Sequence, residues 1–452
     1  MNKRMLLHQL RRGIGSAIME LKAHPDTPHY REIVLGCCLK DISHDTQVEG
    51  TKGHYLYTAI QAIKCEDAFI QPIVDAYLKP LPFRLFYQLN DILKSYAHDG
   101  SAAANTAFSQ KYDQLRTWLL KQKQIRSHDT EPDQLGELMG MSVVPKKHRW
   151  NEFTQMVEIL GAICLSQKNN IRIEYDWLLI VAENQFGAEK VWQYLNDQCD
   201  AVDGINALVQ QIKKDWETYG DKWQAMEEER PTLDWLIQSV TNHLAGKETG
   251  YSPSVYARKF ARQTDQTEHR KLAEYLQDQP DAVKAELLRV FRWKDYPLDI
   301  GNLIRFMDSG NRRLQQSATN ALERFKDQRI HDAAIRLLAS GDMESALPLF
   351  KANWKKADDP LIEKAVLKSR HVPHFMQMEL REIYSRHRST SCGNILLHAY
   401  RYGQCGFCRF GIIRSMGKNS VLPDTVLLEC QYDSYADTRR YAMRRIKKHG
   451  DA

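Results

Sequence analysis

"NILLHAYRYGQCGFCRFGII", residues 394–413, is the stretch whose reading decides the fold. Leu397 lies in a run of helical period, Gly403 breaks it, and a second run follows whose inward position is Ile412. Read this way the stretch is one helical hairpin. The same pattern recurs on both sides of it. Apolar positions Ile304, Ile335, Val366, Leu397 and Leu427 stand 31, 31, 31 and 30 residues apart, each followed by a breaker at Gly310, Gly341, Pro373, Gly403 or the "YDS" turn at 432–434. A second column follows as Ala318, Leu349, Leu380, Ile412 and Ala442. A fixed period of this length, with two short helices per step, is the signature of stacked hairpins.

The same stretch raises a chemical question, because Cys405 and Cys408 are spaced as a metal knuckle. The repeat register favours packing. Cys408 shares a column with Leu314, Ser345, Met376 and Thr438; Cys430 falls with Met307, Leu338, Ser369 and Tyr400; Cys392 falls with Ile330, Leu361 and Leu422. Only Cys405 sits in a turn column, beside Arg312, Met343, His374 and Tyr435. A structural zinc site needs two such pairs, or one pair with two well-spaced histidines. Cys405 and Cys408 are thus the metal candidates, the expectation is a helix start packed with thiols, and no cofactor is implied.

The second helices resemble those of the HEAT family, in which a small apolar residue, an arginine and an alanine-like residue three further on recur. "DSYADTRRYAMRRI" at 433–446 carries the resemblance best: Asp433 precedes Arg439 by six residues and Ala442 follows by three. "CRFGI" repeats part of it with Arg409 and Ile412, whereas Gln315, Ala346 and Gln377 depart from the arginine column. The resemblance covers 298–449 and implies an all-α fold: an α-solenoid of stacked HEAT-like helical hairpins, more divergent in its N-terminal and middle parts. It leaves function open.

Composition agrees with an all-α chain. In 452 residues glycine and proline number only 23 and 15, which leaves little material for hairpin turns of a sheet protein. The 63 basic and 57 acidic side chains leave a formal charge of +6, below the excess of a dedicated nucleic-acid coat. No apolar run is long enough to cross a bilayer, and "MNKRMLLHQLRRGIGSAIMELK" lacks a continuous signal-peptide core, so a cytoplasmic protein is expected. Nine cysteines, several inside apolar helical runs such as "IVLGCCLKDI", read as reduced, buried side chains.

Four regions are expected: N-terminal helical repeats at 1–125, an irregular connection at 126–150, an aromatic-rich helical middle at 151–297, and the regular repeats at 298–452. Within the first, "PHYREIVLGCCLKDISHD" reads as a helix ending near Asp45, "TKGHYLYTAIQAI" as its partner, and Pro80 and Pro82 divide two further helices. Gly13 and Gly15 suggest a short or interrupted first helix, since no strand–turn–helix context supports a phosphate loop there.

No Walker loop, serine elbow, H-E-x-x-H pair or dinucleotide fingerprint is present. The densest basic cluster, "RRYAMRRIKKHG" at 439–450, reads as a solvated cap or as an acid-binding patch. "EYDWLL" (Asp176, Trp177) and "TLDWLI" (Asp234, Trp235) place a carboxylate beside a ring, as in helical-repeat DNA glycosylases, but adjacent residues face different sides of a helix. The expectation is a non-catalytic scaffold whose inner face binds a protein partner with an acidic surface through Arg409, Arg414, Arg439, Arg440, Arg444 and Arg445. A nucleic-acid-binding protein, with base chemistry on alkylated DNA, is the competing reading; basic clusters including "KRMLLHQLRR" and "VPKKHR" support it.

Overall fold

A computed structural model describes residues 1–121, 149–166, 175–228, 231–247 and 252–450. Among these the chain is all-helical, with one isolated parallel bridge between Val372 and Gly403. The expected connection at 126–150 lies almost wholly outside the described residues. The chain divides into two compact units, Met1–Met226 with Glu429–Ser434, and Glu227–Leu428 with Tyr435–Ala452. Among the described residues no helix is long and apolar enough to cross a membrane.

The first unit contains α1 (Lys3–Arg12), α2 (Gly15–Ala23), α3 (Pro28–Cys38), α4 (Thr46–Glu49), α5 (Gly53–Ile63), α6 (Asp67–Tyr77), α7 (Phe83–His98), α8 (Ala102–Lys121), α9 (Arg149–Ser166), α10 (Tyr175–Phe186), α11 (Ala188–Cys199) and α12 (Asp203–Glu228). The first helix is short, as its glycines suggest. Gly13 closes α1 in the left-handed region at φ 72°. The proline pair separates α6 from α7, but α3 stops at Cys38, well before Asp45. The reason lies on α7. Buried Gln88 donates from Nε2 to the carbonyls of Cys37, Cys38 and Lys40 at 3.1, 3.0 and 3.0 Å, and accepts from Ile42 N–H at 3.3 Å. Those otherwise orphaned carbonyls are satisfied only if the chain leaves the helix there.

The second unit begins with α13 (Leu233–Leu244), α14 (Pro253–Gln263), α15 (Gln266–Tyr275) and α16 (Asp281–Leu287). Five hairpins follow: α17 (Gly301–Met307) with α18 (Arg312–Leu322), α19 (Gln328–Ser340) with α20 (Met343–Asn353), α21 (Asp359–Leu367) with α22 (His374–Arg386), α23 (Gly393–Tyr402) with α24 (Gly406–Lys418), and α25 (Asp424–Glu429) with α26 (Ala436–Gly450). The second helices α18, α20, α22, α24 and α26 pack each on the next, and the first helices α19, α21 and α23 do likewise. Their inward column of Ala318, Leu349, Leu380, Ile412 and Ala442 is completely buried. On the first helices the buried position is more often one residue earlier, at Leu303, Ala334, Leu396 and Val426, leaving Ile304, Ile335 and Leu397 half-buried. An apolar stripe spans about 100° of a helix, so adjacent positions compete for its centre and the period alone does not choose between them.

Polar ties reinforce the stacking. Asn353 and Asn419 end equivalent second helices, and each reaches back to the preceding hairpin. Asn353 donates to Phe325 O at 2.8 Å and accepts from Asp327 N–H at 2.9 Å; Asn419 donates to Tyr384 O at 2.8 Å and accepts from Ser389 N–H at 2.7 Å. Each also bonds the carbonyl four residues earlier on its own helix. Lys351 on α20 lies 2.9 Å from Glu323 and 2.8 Å from Glu379, so one cation links three consecutive second helices.

Candidate functional site

The helix α24, "GFCRFGIIRSMGK", has two unlike faces. Cys408, Arg409, Ile412, Ile413 and Met416 are buried, whereas Phe407, Phe410, Gly411, Arg414, Gly417 and Lys418 form a stripe at helical spacing that is half-buried or exposed. This stripe floors a cleft of about 560 Å³, walled by Arg381 and Ser385 of α22 and by Tyr441 and Arg445 of α26.

A glycine in the middle of a helix, as Gly411 is in α24, is unfavourable by about 1 kcal/mol relative to alanine, and Gly417 stands in the last turn. Here the missing side chains make room for cations. A Cβ at Gly411 would lie 2.2 Å from Arg381 Cδ, and one at Gly417 would lie 2.3 Å from both Arg445 Nη1 and Tyr441 Oη. The neighbouring arginines therefore lie directly over the backbone of α24. Aromatic rings steady two of the four cations: Arg414 stands 5.7 Å from the Phe410 ring centre, and Arg445 stands 5.6 Å from that of Tyr441, donating to its hydroxyl at 2.6 Å. Lys418 donates to Ser385 O, and Arg381 pairs with Glu382 at 3.1 Å. Among the described residues no carboxylate lies within ion-pair distance of Arg414, Lys418 or Arg445. The cleft thus has a surplus of positive charge and is suited to an anionic ligand.

The sequence-expected arginines separate in the structure. Arg414 and Arg445 line the cleft, Arg444 is exposed on α26, and Arg440 is exposed and paired with Asp437. Arg439 is half-buried. Arg409 is a correction: it is completely buried, with Nη1 donating to Gln404 O at 3.5 Å, so it offers nothing to a partner at the surface. The repeat column placed it beside Arg439 without showing that this column points inward at α24. Arg381 and Lys418 were missed; Lys418 lies four residues beyond Arg414 on the same face, a signal available in the sequence.

Cys405 and Cys408 are both completely buried at the start of α24, consistent with thiols packed at a helix start. Cys405 is the N-cap, its Sγ accepting from Cys408 N–H at 3.5 Å. Half-buried His374, the first residue of α22, brings Nδ1 to 3.3 Å from Cys408 Sγ. The donor atoms of these three residues all lie within 4.8 Å of one another. The sequence places His374 in the turn column of Cys405, and that shared column is the signal that the two meet. None of the nine cysteines is in a disulfide.

Of the two tryptophan motifs, only "TLDWLI" lies with its side chains among the described residues. Trp235 packs edge-on against Tyr256 at 5.1 Å, and Asp234 is exposed in the first turn of α13. The side chains of Asp176 and Trp177, and most of "VPKKHR", lie outside the described residues. Comparison with protein-family models, with curated proteins and with solved structures finds no match to this chain.

Proposed function

We propose that this chain is a non-catalytic interaction protein, whose hairpins build a HEAT-like α-solenoid and whose second helices bind an acidic segment of a partner protein in the cleft between α22, α24 and α26. One observation carries the reading: four cations and three rings converge there, and among the described residues no carboxylate pairs with Arg414, Lys418 or Arg445. Glutamate and aspartate side chains of an extended or helical segment would supply the missing anions, and the rings of Phe407, Phe410 and Tyr441 would cover its apolar positions. The free cysteines suit a reducing compartment, so cytoplasmic residence belongs to the same reading.

The test is anisotropy titration of a labelled glutamate-rich peptide and of mixed-sequence single-stranded RNA and DNA against the full chain. The peptide should bind with an affinity that falls as salt rises, and Arg414→Glu with Arg445→Glu should weaken it by about tenfold or more, a loss of ~1.4 kcal/mol. Tighter, salt-dependent binding of nucleic acid through the same arginines would overturn the protein-partner reading in favour of phosphate-backbone recognition.

A further inference from the structure

We propose that His374, Cys405 and Cys408 form a binding site for one zinc-class divalent cation that ties the third hairpin of the array to the fourth. The cluster is assembled by backbone register. Val372 and Gly403, in the turns that precede α22 and α24, form a parallel bridge, with Val372 N–H donating to Tyr402 O at 3.4 Å. In a parallel pair, residues at equal offsets travel side by side. Two residues beyond the bridge on each strand stand His374 and Cys405, and one helical turn later stands Cys408. The close approach at the bridge requires Gly403. A Cβ there would lie 1.9 Å from Nε2 of the buried Gln377, which donates to Ala399 O at 3.4 Å. Among the described residues this is the one isolated backbone bridge, and it holds these two loops in contact.

The chemistry of the donor set fits a borderline-soft cation. Two thiols and one imidazole are a familiar set for tetrahedral zinc, with Zn–S near 2.3 Å and Zn–N near 2.0–2.1 Å, which implies S···N edges of about 3.5 Å. The observed Cys408 Sγ to His374 Nδ1 separation is 3.3 Å. Both thiols lie at the N-terminus of α24, and His374 begins α22, so all three donors come from the starts of two neighbouring second helices. A nucleophilic role is opposed by the complete burial of both sulfurs. A thiol is also a weak cap: Asn311 and Asp342 occupy the N-cap of α18 and α20 and accept there through oxygen. Coordination expels the two thiol protons to solvent, giving a neutral dithiolate–cation unit with His374 as a neutral donor. One tetrahedral position is left for water or an incoming ligand.

The experiment uses the full chain under reducing conditions, with elemental analysis of the purified protein and titration of the stripped protein with zinc and with cobalt(II). The expected result is one metal per chain, and a cobalt spectrum with tetrahedral d–d bands and thiolate-to-metal charge transfer. Cys405→Ser and Cys408→Ser should each lower affinity by at least ~100-fold, more than the loss expected from a residue that only supports a ligand. Cys430→Ser, which alters a buried thiol outside the cluster, should leave it unchanged. Serine is a good N-cap, so Cys405→Ser should keep α24 intact, which far-UV circular dichroism checks. If the serine variants do not fold, the wild-type cobalt spectrum decides: two-thiolate coordination upholds the site and its absence overturns it. Failure of the wild-type chain to bind zinc or cobalt, binding unaffected by both folded serine variants, or reduced protein that re-forms a Cys405–Cys408 disulfide in preference to taking metal would each overturn it.

Discussion

Gly411→Ala separates the cleft from the stability of the helix that floors it. The new Cβ would stand 2.2 Å from Arg381 Cδ, whereas ordinary contact begins at 3.4 Å, so the arginine stem must retreat by about 1.2 Å. Alanine raises helix propensity by about 1 kcal/mol. Driving Arg381 off its rotamer costs about 0.5–1.5 kcal/mol. The two nearly cancel, so Tm should stay within about 3 °C of the parent. Binding should not be spared. With the guanidinium displaced, one of four cations leaves the cleft; an exposed charge contact of this kind is worth ~0.2–1 kcal/mol, or an about 1.4- to fivefold weaker Kd for the acidic peptide. The slope of log Kd against log salt should fall with it. Arg381→Ala supplies the decisive comparison, because Gly411→Ala added to it should change nothing further. If Gly411→Ala weakens binding as much without Arg381 as with it, or leaves Kd untouched while Arg381→Ala weakens it, the account of why glycine stands at 411 is wrong.

Three other outcomes follow from the packing. Asn419→Ala leaves Ser389 N–H and Tyr384 O without their buried partner and should cost about 3 kcal/mol, seen by hydrogen exchange as lost protection at Ser389 in the loop after α22; Asn353→Ala should act alike two hairpins earlier in the array. Lys351→Met should cost about 2–3 kcal/mol near pH 7.5, because burial already pushes the Glu379 carboxyl up and the variant removes the cation that opposes this. The sign with pH is definite: the Lys351 side chain is held above its ordinary range by Glu379 and Glu323, against the opposing effect of burial, so its contribution is complete at neutral pH and is lost only as pH rises through that elevated value. The deficit of the variant arises from charged Glu379, whose carboxyl burial holds above the ordinary glutamate range, so it should begin to shrink as pH falls into that raised range and be gone below the ordinary value of about 4.3; a deficit constant across that window in denaturant titrations would mean lost packing instead. Burial pushes the Cys37 thiol up to about 11, and burial with the Asp359 carboxylate pushes Cys392 up to about 12, so both stay neutral up to about pH 9. Native-state alkylation read by mass spectrometry should label exposed Cys65 first and leave those two unmodified.

Much of the local structure was legible along the chain. The 31-residue spacing placed all five hairpins, and the inward column through Ile412 and Ala442 is buried as read. Thiol packing was legible in part: the column of Cys408, with Leu314, Ser345, Met376 and Thr438, is buried throughout, whereas Cys392 is buried although Leu361 in its column is exposed. The first-helix column was displaced by one residue in most hairpins, and α3 ended early because Gln88, fifty residues further on, caps its carbonyls. Composition carried the absence of long apolar helices among the described residues.

What the amino-acid order determines by itself is whatever depends on neighbours within a turn or two: helix against break, apolar stripe against polar face, and the repeat that follows from their recurrence. The site depends on pairs about thirty residues apart, and these are set only when one hairpin seats on the next. Stacking buries Arg409 while leaving Arg414 and Arg445 in a cleft, turns Gly411 and Gly417 into seats for guanidinium groups, and carries His374 to within 3.3 Å of Cys408. Each of these hangs on inter-hairpin register, which the Val372–Gly403 bridge and the Asn353 and Asn419 ties decide.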